Sequence, residues 1–329
     1  MSLSTSSGFW TDRRVVVTGG AGFLGRRVVA ELKDHGADPV VIRSADFDLT
    51  QPGAADDMIA QHRPTEIVHL AARVGGIGYN QAEPAPLYLA NLLMGTHVIE
   101  AARSGGVDKT VLLGTVCSYP KFTPVPFHEE SLWDGYPEET NAPYGIAKKA
   151  HLVHAQVNAA QYGQRFAYLI PTNLYGPGDK FNPHVSHVIP ALIKKCVDAV
   201  EAGDSFVPVW GTGSASREYL YVDDAARAIV AAAERYEGSE PVNPIPINLG
   251  TNHEITIRET VETVARLVGF TGELRWDPTK PDGQPRRRVD ATRANELLGW
   301  HASTPFEDGL RATVDWYLAN RAEAERVAA

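Results

Sequence analysis

The chain has 329 residues, enough to bury a sizeable core in one large or two closely joined domains. Its net charge of −9 argues against a nonspecific nucleic-acid binder, since phosphate backbones require a basic surface. No stretch approaches the roughly 20 apolar residues that span a bilayer, and two cysteines without a signal-peptide pattern lead us to expect a cytoplasmic protein.

Short apolar runs alternate with amphipathic segments in the first half of the chain. We predict strands at residues 14–18, 39–43, 66–71 and 110–114, and helices at residues 25–35, 87–104 and 144–162. This alternation predicts an α/β fold with a Rossmann-type, doubly wound parallel sheet. The strands lack strict polar alternation, which fits a sheet covered on both faces.

The second half of the chain is less regular. Its predicted strands are 166–173, 217–223 and 245–250, and its predicted helices lie within 182–202 and at 257–268 and 305–319. We expect a flexible tail at 1–12, an NAD(P)-binding Rossmann domain at 13–175 and a smaller C-terminal α/β substrate-binding domain at 176–329. Some crossing of the chain between the two domains is expected, with a cleft between them.

A glycine-rich loop follows the first predicted strand. Gly19, Gly22 and Gly25 have the spacing GxxGxxG between a strand and a helix. The first glycine permits a tight turn, the second lets backbone approach a pyrophosphate, and the third lets the helix pack closely on the strand. The helix N-terminus would then face the phosphates, so the loop predicts a dinucleotide site.

The second predicted strand ends at Arg43, where NAD-preferring folds often carry an acidic residue. An arginine can accommodate the ribose 2′-phosphate instead, so we favour NADP(H) as the cofactor, with NAD possible. Asp48 and Leu49 follow, where a loop could border the adenine.

Tyr144 and Lys148 form a YxxxK pair at the start of a predicted helix. Residues four apart share one helical face, so the ammonium can favour ionisation of the phenol. Such a tyrosine can exchange a proton with a carbonyl oxygen as hydride moves at the carbon. Thr115 ends the fourth strand at the ligand-binding edge and would hydrogen-bond the reacting oxygen.

From about Arg14 to Leu318 the chain resembles the GDP-L-fucose synthases, a family of extended short-chain dehydrogenases/reductases. The segments that carry the resemblance are 72–78 (ARVGGIG), 114–121 (GTVCSYPK), 144–148 (YGIAK), 171–177 (PTNLYGP), 186–192 (SHVIPAL), 210–213 (WGTG), 217–224 (REYLYVDD) and 280–286 (KPDGQPR). The resemblance implies conversion of GDP-4-keto-6-deoxymannose to GDP-L-fucose by epimerisation and NADPH-dependent reduction.

The resemblance also implies roles for single residues. Cys117 would be the base that abstracts the acidic protons at C3 and C5 beside the C4 ketone, and His187 would return a proton from the opposite face. Cofactor positions are Gly19, Gly22, Phe23, Leu24, Gly25, Arg43, Asp48, Leu49, Leu70, Ala71, Ala72, Tyr144, Lys148, Pro171, Asn173 and His187. Substrate positions are Val74, Gly75, Asn173, Val188, Lys195, Trp210, Arg217 and Asp282. We expect no metal site.

Three departures from the family pattern bear on the substrate. Thr115-Val116-Cys117 replaces the usual Ser-Ser-Cys, which keeps one hydroxyl and loses another. Lys195 stands where the family typically has arginine, so the charge remains but the bidentate fork is lost. Segment 127–140 (FHEESLWDGYPEET) precedes the catalytic tyrosine in a region where sugar preference could differ.

Two other functions use the same motifs. A redox-neutral epimerase that holds NAD and oxidises C4 transiently, such as a GDP-mannose 3,5-epimerase, would not consume NADPH, and Arg43 argues mildly against it. A noncatalytic nucleotide sensor could lose its catalytic residues, yet this chain keeps Thr115, Tyr144 and Lys148. We expect a homodimer because the family pairs two helices per subunit, here 87–104 and 144–162, into a four-helix bundle.

Overall fold

The computed structural model describes residues 8–182, 185–238, 244–280 and 284–325. Its strands are β1 Val15–Thr18, β2 Val40–Ile42, β3 Glu66–His69, β4 Lys109–Leu113, β5 Arg165–Pro171, β6 Asn173–Tyr175, β7 Phe206–Trp210, β8 Ser216–Arg217, β9 Tyr219–Tyr221, β10 Pro246–Leu249, β11 Ile255–Thr256 and β12 Glu273–Asp277. Its α-helices are α1 Phe23–Asp34, α2 Ala54–His62, α3 Ile77–Ala82, α4 Pro84–Ser104, α5 Ala142–Tyr162, α6 Val188–Ala202, α7 Val222–Arg235, α8 Ile257–Val268, α9 Thr292–Leu298, α10 Phe306–Ala319 and α11 Arg321–Ala324.

Six parallel strands form the central sheet in the order β10-β5-β4-β3-β1-β2. The strands β1, β3 and β4 are buried along their whole length, because helices cover both faces of the sheet. The predicted α/β Rossmann-type fold is confirmed. Parallel pairing also brings the carboxyl ends of β1, β3, β4 and β5 to one edge, where the predicted site residues follow the strands.

Each face of the sheet has its own hydrophobic core. Helices α1 and α7 pack together on one face, where Val28 and Leu32 of α1 contact apolar residues of β1 and of the alanine-rich α7. Helices α2, α4 and α5 cover the other face, and α4 packs along α5. The sheet is therefore doubly wound.

The second half of the chain adds a smaller layer beside the edge at the carboxyl ends of the strands. Three two-stranded pairs, β6 with β9, β8 with β11 and β7 with β12, join helices α6, α8 and α10 around a separate core. The chain also returns to the first unit, because β10 pairs with β5 and α7 packs on α1. The division of domains at residues 175 and 176 stays a prediction.

The predicted strand at 217–223 is wrong in part. It is broken at Glu218, and after β9 the chain enters α7 at Val222. The sequence reading did not include α7, although Asp223 and Asp224 in its first turn are a helix-start signal that complements the helix dipole. Directly before Asp223, the alternation of tyrosine and leucine at residues 219–221 is typical of a strand, and it masks the start of the helix.

Part of the predicted flexible tail is packed on the fold. Residues 1–7 lie outside the described residues. Within residues 8–12, Trp10 is 3% exposed, and its Nε1 donates a hydrogen bond to Oε1 of Glu234 in α7 at 2.7 Å. A large aromatic ring with its polar N–H paired is a stable anchor, so residues 8–12 belong to the folded unit.

Candidate active site

The glycine loop brings the start of α1 against the end of β1. A Cβ built on Gly25 would lie 2.1 Å from the carbonyl oxygen of Gly19, and one on Gly19 would lie 2.8 Å from the backbone nitrogen of Ala71. Gly19 also has a φ of +70°, which favours glycine. No side chain caps α1 at Gly22, so its first N–H groups face the loop without a side-chain acceptor. This geometry fits an anionic ligand at the helix N-terminus.

The end of β2 lies beside this loop. Arg43 is exposed, and within the described part of the chain its guanidinium forms no ion pair with a carboxylate. Asp48 accepts hydrogen bonds from the hydroxyl and N–H of Thr50, which lower the pKa of its carboxyl. Leu49 is buried, whereas Phe23 and Leu24 at the start of α1 are half-buried.

The end of β3 faces the glycine loop from the neighbouring strand. The hydroxyl of Thr18 in β1 accepts a hydrogen bond from the N–H of Ala71 at 3.2 Å and lies 2.8 Å from Nδ1 of His69. This pairing holds the segment of Leu70, Ala71 and Ala72 beside the dinucleotide loop. These half-buried residues lie where the resemblance implies cofactor contact.

Thr115 and Cys117 lie just beyond β4. Thr115 caps a 3₁₀ turn at Val116–Ser118, its hydroxyl accepting from the N–H of Cys117 at 3.2 Å. The turn lies against the start of α5, where a Cβ on Gly145 would be 2.5 Å from the carbonyl oxygen of Cys117. The close contact with Gly145 places the thiol-bearing turn directly beside Tyr144.

The Tyr144 and Lys148 pair lies on one face of α5 as predicted. The Lys148 ammonium is 5.9 Å from the centroid of the Tyr144 ring, and Lys148 is 2% exposed. Burial lowers the pKa of Lys148 to about 8. Burial raises the pKa of Tyr144, with a smaller contribution from the neighbouring charge of Cys117. Before a ligand binds, the phenol is therefore held protonated and can donate a proton.

His187 lies at the N-terminus of α6, next to Val188. Desolvation by the surrounding protein lowers the pKa of its imidazole, and the charge of Lys180 lowers it further. Because the side chain is exposed, solvent weakens both contributions. The preceding Ser186 packs against Gly76, where a Cβ would lie 2.6 Å from the Ser186 carbonyl oxygen. The helix start therefore adjoins the loop that contains Val74 and Gly75.

The remaining predicted substrate residues come from several segments. Lys195 on α6 donates to the carbonyl of Pro208 at 3.0 Å, which places it beside Trp210, a side chain that is 67% exposed. Arg217 donates to the carbonyl of Gln284 at 2.6 Å. Pro171 ends β5, and Asn173, which begins β6, donates to the carbonyl of Glu218 at 3.1 Å. Asp282 lies outside the described residues.

The structure adds three residues that the sequence analysis did not select. Arg287 has its Nη1 3.8 Å from Sγ of Cys117, and Gln284 accepts two hydrogen bonds from the same guanidinium. The fully buried Glu218 accepts from the backbone N–H groups of Thr251, Asn252 and Val289. The run of three arginines at 286–288 is a sequence signal, but it does not reveal which one reaches the thiol.

The described residues contain no group of three or more histidine, cysteine, aspartate and glutamate side chains placed to hold a metal ion. None of their helices combines the length and apolar character needed to cross a membrane.

The chain matches a known family over most of its length. Residues 15–250 match the family described as NAD dependent epimerase/dehydratase. The chain belongs to this family. The match covers the glycine loop, the 3₁₀ turn with Cys117, the Tyr144 and Lys148 pair and strand β10, which closes the sheet.

Individual members of the family are similar over nearly the whole chain. GDP-L-fucose synthase 1 of Arabidopsis thaliana is 42% identical over 93% of this chain and 94% of its own length. GDP-L-fucose synthase of Escherichia coli is 38% identical over 94% and 98%. The structure of a GDP-L-fucose synthetase from Naegleria fowleri bound to NADP is 30% identical, with a TM-score of 0.85 over 96% of this chain and 97% of that one. The resemblance to the GDP-L-fucose synthases is thus confirmed.

Proposed function

We propose that this protein is an NADP(H)-dependent epimerase–reductase that converts GDP-4-keto-6-deoxy-D-mannose to GDP-L-fucose. The observation that carries the proposal is the contact between the Cys117 turn and the start of α5 at Gly145. It places a thiol beside the tyrosine–lysine pair, so one bound sugar can meet both an epimerisation base and a reductive proton donor. The full-length similarity to GDP-L-fucose synthases supports the same activity.

The residues around the glycine loop fit NADP(H). There is no room for a Cβ at Gly19 or Gly25, and the α1 N-terminus at Gly22 offers N–H groups to a pyrophosphate. Arg43 at the end of β2 would hold the 2′-phosphate by charge-assisted hydrogen bonds. When bound, the reduced cofactor supplies a hydride to C4 of the sugar.

Cys117 and His187 would carry out epimerisation at C3 and C5. The thiolate takes the proton from a carbon beside the ketone: the C–H bond breaks, an S–H bond forms, and the electron pair moves into an enolate with its charge on the C4 oxygen. His187 then gives a proton to that carbon from the opposite face, and the C=O bond reforms with the centre inverted. Thr115 would hydrogen-bond the C4 oxygen while it carries negative charge.

Tyr144 and Lys148 would complete the reduction. As the C4 carbon becomes tetrahedral, the phenol gives its proton to the C4 oxygen, and the Lys148 ammonium stabilises the phenolate left behind. Lys148 remains charged up to about its pKa of 8. Lys195 and Arg217 would hold the diphosphate, and the exposed Trp210 could stack on the nucleotide base.

The proposal is tested by mixing the purified protein with GDP-4-keto-6-deoxymannose and NADPH and following the nicotinamide absorbance. We expect substrate-dependent loss of NADPH and a GDP-fucose product. Without NADPH loss, deuterium incorporation into GDP-mannose in heavy water would instead assign a redox-neutral GDP-mannose 3,5-epimerase. If neither NADPH oxidation nor deuterium incorporation is observed, the protein is not an enzyme acting on these sugars.

We also propose a homodimer formed through α4 and α5. These helices pack side by side and carry exposed apolar side chains, with Leu89 and Val157 each 53% exposed and Val153 44%. Val153 and Val157 are four residues apart on one helical face, and two copies of this pair of helices could bury them in a four-helix bundle. Both cysteines are free, which fits action in the reducing cytoplasm.

Sedimentation velocity at micromolar concentration tests the dimer. The wild-type protein should sediment as a dimer and Val157→Lys as a monomer with unchanged secondary structure. Val200→Lys, at a similarly exposed valine on α6, is the matched control and should remain dimeric. A monomeric wild-type protein would contradict the proposal.

A further inference from the structure

Arg287 approaches the proposed epimerisation base from a distant part of the sequence. Its Nη1 lies 3.8 Å from the Cys117 sulfur, a distance at which an N–H group can donate to sulfur. The two residues are 170 positions apart, and Arg287 lies on the segment between β12 and α9. The contact therefore exists only because the C-terminal part of the chain folds back over the turn after β4.

The guanidinium of Arg287 is fixed by a second residue. Oε1 of Gln284 accepts from Nε at 3.2 Å and from Nη2 at 3.0 Å, which leaves Nη1 directed at the thiol. Nε2 of Gln284 in turn donates to the carbonyl of Lys121 at 3.0 Å, four residues beyond Cys117. The arginine is thus braced against the same loop that carries the thiol.

The backbone that follows Arg287 is anchored independently of the site. The N–H of Phe127 donates to the carbonyl of Arg288 at 2.8 Å, and the N–H of Asp290 donates to the carbonyl of Phe127 at 2.9 Å. The N–H of Val289 donates to the buried carboxylate of Glu218 at 2.8 Å. These bonds limit how far the arginine can move away from the sulfur.

The guanidinium of Arg287 faces the sulfur without a carboxylate partner among the described residues. Within the described segments, no carboxylate forms an ion pair with Arg287, whereas the adjacent Arg286 pairs with Glu254. From α5, the titratable group whose charge interacts with Cys117 is Tyr144, and burial raises its pKa so that it stays neutral. The positive charge of Arg287 is therefore directed at the thiol without a competing carboxylate.

We propose that Arg287 is a positioning residue that stabilises the Cys117 thiolate and so sets the pH range in which the epimerisation base is available. The inference rests on the proposed function, which gives Cys117 the role of base. A cation beside a thiol favours the thiolate, and the thiolate is the form that can take a proton or be alkylated. Gln284 acts through Arg287 by keeping Nη1 pointed at the sulfur.

Alkylation of Cys117 by iodoacetamide, measured against pH without cofactor or substrate, tests the thiolate directly. A Cys196→Ser background leaves Cys117 as the single thiol. For Arg287→Gln we expect the midpoint of the pH profile to rise by about one unit, so that alkylation at pH 7 is about tenfold slower. Arg287→Lys should restore most of the rate because it keeps the charge.

Two further variants sharpen the result. Arg286→Gln removes the same charge from the neighbouring residue, which pairs with Glu254, and should leave the alkylation profile unchanged. Gln284→Leu keeps the charge of Arg287 but removes its brace, and should slow alkylation about threefold. Gln284→Leu also provides the test if Arg287→Gln fails to fold.

An unchanged alkylation profile in both Arg287→Gln and Gln284→Leu would overturn the inference. A raised KM for the nucleotide sugar with that unchanged profile would assign Arg287 to the substrate diphosphate instead. If the profile shifts as expected but Cys117→Ser still exchanges the sugar protons, the thiolate contact stands and the proposed role of Cys117 as base fails.

Discussion

The dinucleotide loop and the proposed catalytic site are built in different ways. The loop acts through its backbone: seven consecutive residues from Gly19 to Gly25 place a helix N-terminus at the end of β1, and close contacts leave no room for a Cβ at Gly19 or Gly25. The proposed catalytic site is made of side chains from distant segments: Cys117 and Tyr144 come from the first half of the chain and Arg287 from the second, where we also propose a role for His187. A site made of backbone can be predicted from a short sequence motif, whereas a site made of distant side chains can be identified only once the fold is known.

The largest expected effect is on catalysis by Tyr144. Tyr144→Phe removes the reductive proton donor and should slow NADPH oxidation about 10³-fold, within the range that acid–base groups contribute. The measurement is steady-state NADPH loss with saturating sugar nucleotide. Tyr136→Phe, at a tyrosine that is 66% exposed, should keep wild-type rates. Equal rates in Tyr144→Phe and the wild type would remove Tyr144 from the chemistry.

The next effect tests the loop. Gly25→Ala adds a Cβ 2.1 Å from the Gly19 carbonyl oxygen, so helix and strand must separate. Overpacking of this kind costs roughly 1–3 kcal/mol, and we expect about 100-fold weaker NADPH binding in a fluorescence titration. Gly78→Ala, where a Cβ meets no atom within 4 Å, is the matched control and should bind normally. Normal binding by both variants would show that close packing at Gly25 does not shape the cofactor site.

A smaller effect on NADPH binding is expected from Arg43, the side chain that we propose binds the 2′-phosphate beside the dinucleotide loop. Arg43→Ala should weaken NADPH binding about tenfold, the scale of one charge-assisted hydrogen bond, and leave NADH binding unchanged. Isothermal titration with both cofactors gives the comparison within one variant. Equal weakening for both cofactors would show that Arg43 does not read the 2′-phosphate.

The smallest effect is a pH dependence. Burial lowers the pKa of Lys148 to about 8, so the ammonium is lost as the pH rises through that value. We expect kcat/KM for NADPH, which reports the free enzyme, to be about half its maximum near pH 8 and to fall at higher pH. A flat profile from pH 7 to 9 would show that the charge of Lys148 is not required.

Features with a local sequence signal could be predicted, whereas contacts between distant segments could not. Helix α8 is predicted to the residue, because a capping box at Thr256 and Glu259 begins it and Gly269 ends it. Helix α7 was not predicted. It is buried between the sheet and other helices along most of its length, and the strand-like residues 219–221 mask its start. The contact of Arg287 with Cys117 could not be predicted, because nothing local distinguishes Arg287 from Arg286, which points to Glu254 instead.

We propose that one site carries out two reactions on the same sugar: proton exchange by Cys117, and reduction in which Tyr144 supplies the proton. The most direct measurement is deuterium incorporation at C3 and C5 of GDP-4-keto-6-deoxymannose in heavy water, recorded by NMR for Tyr144→Phe and Cys117→Ser. We expect incorporation with Tyr144→Phe, which does not reduce the sugar, and little or none with Cys117→Ser. Equal incorporation by the two variants would contradict the proposal.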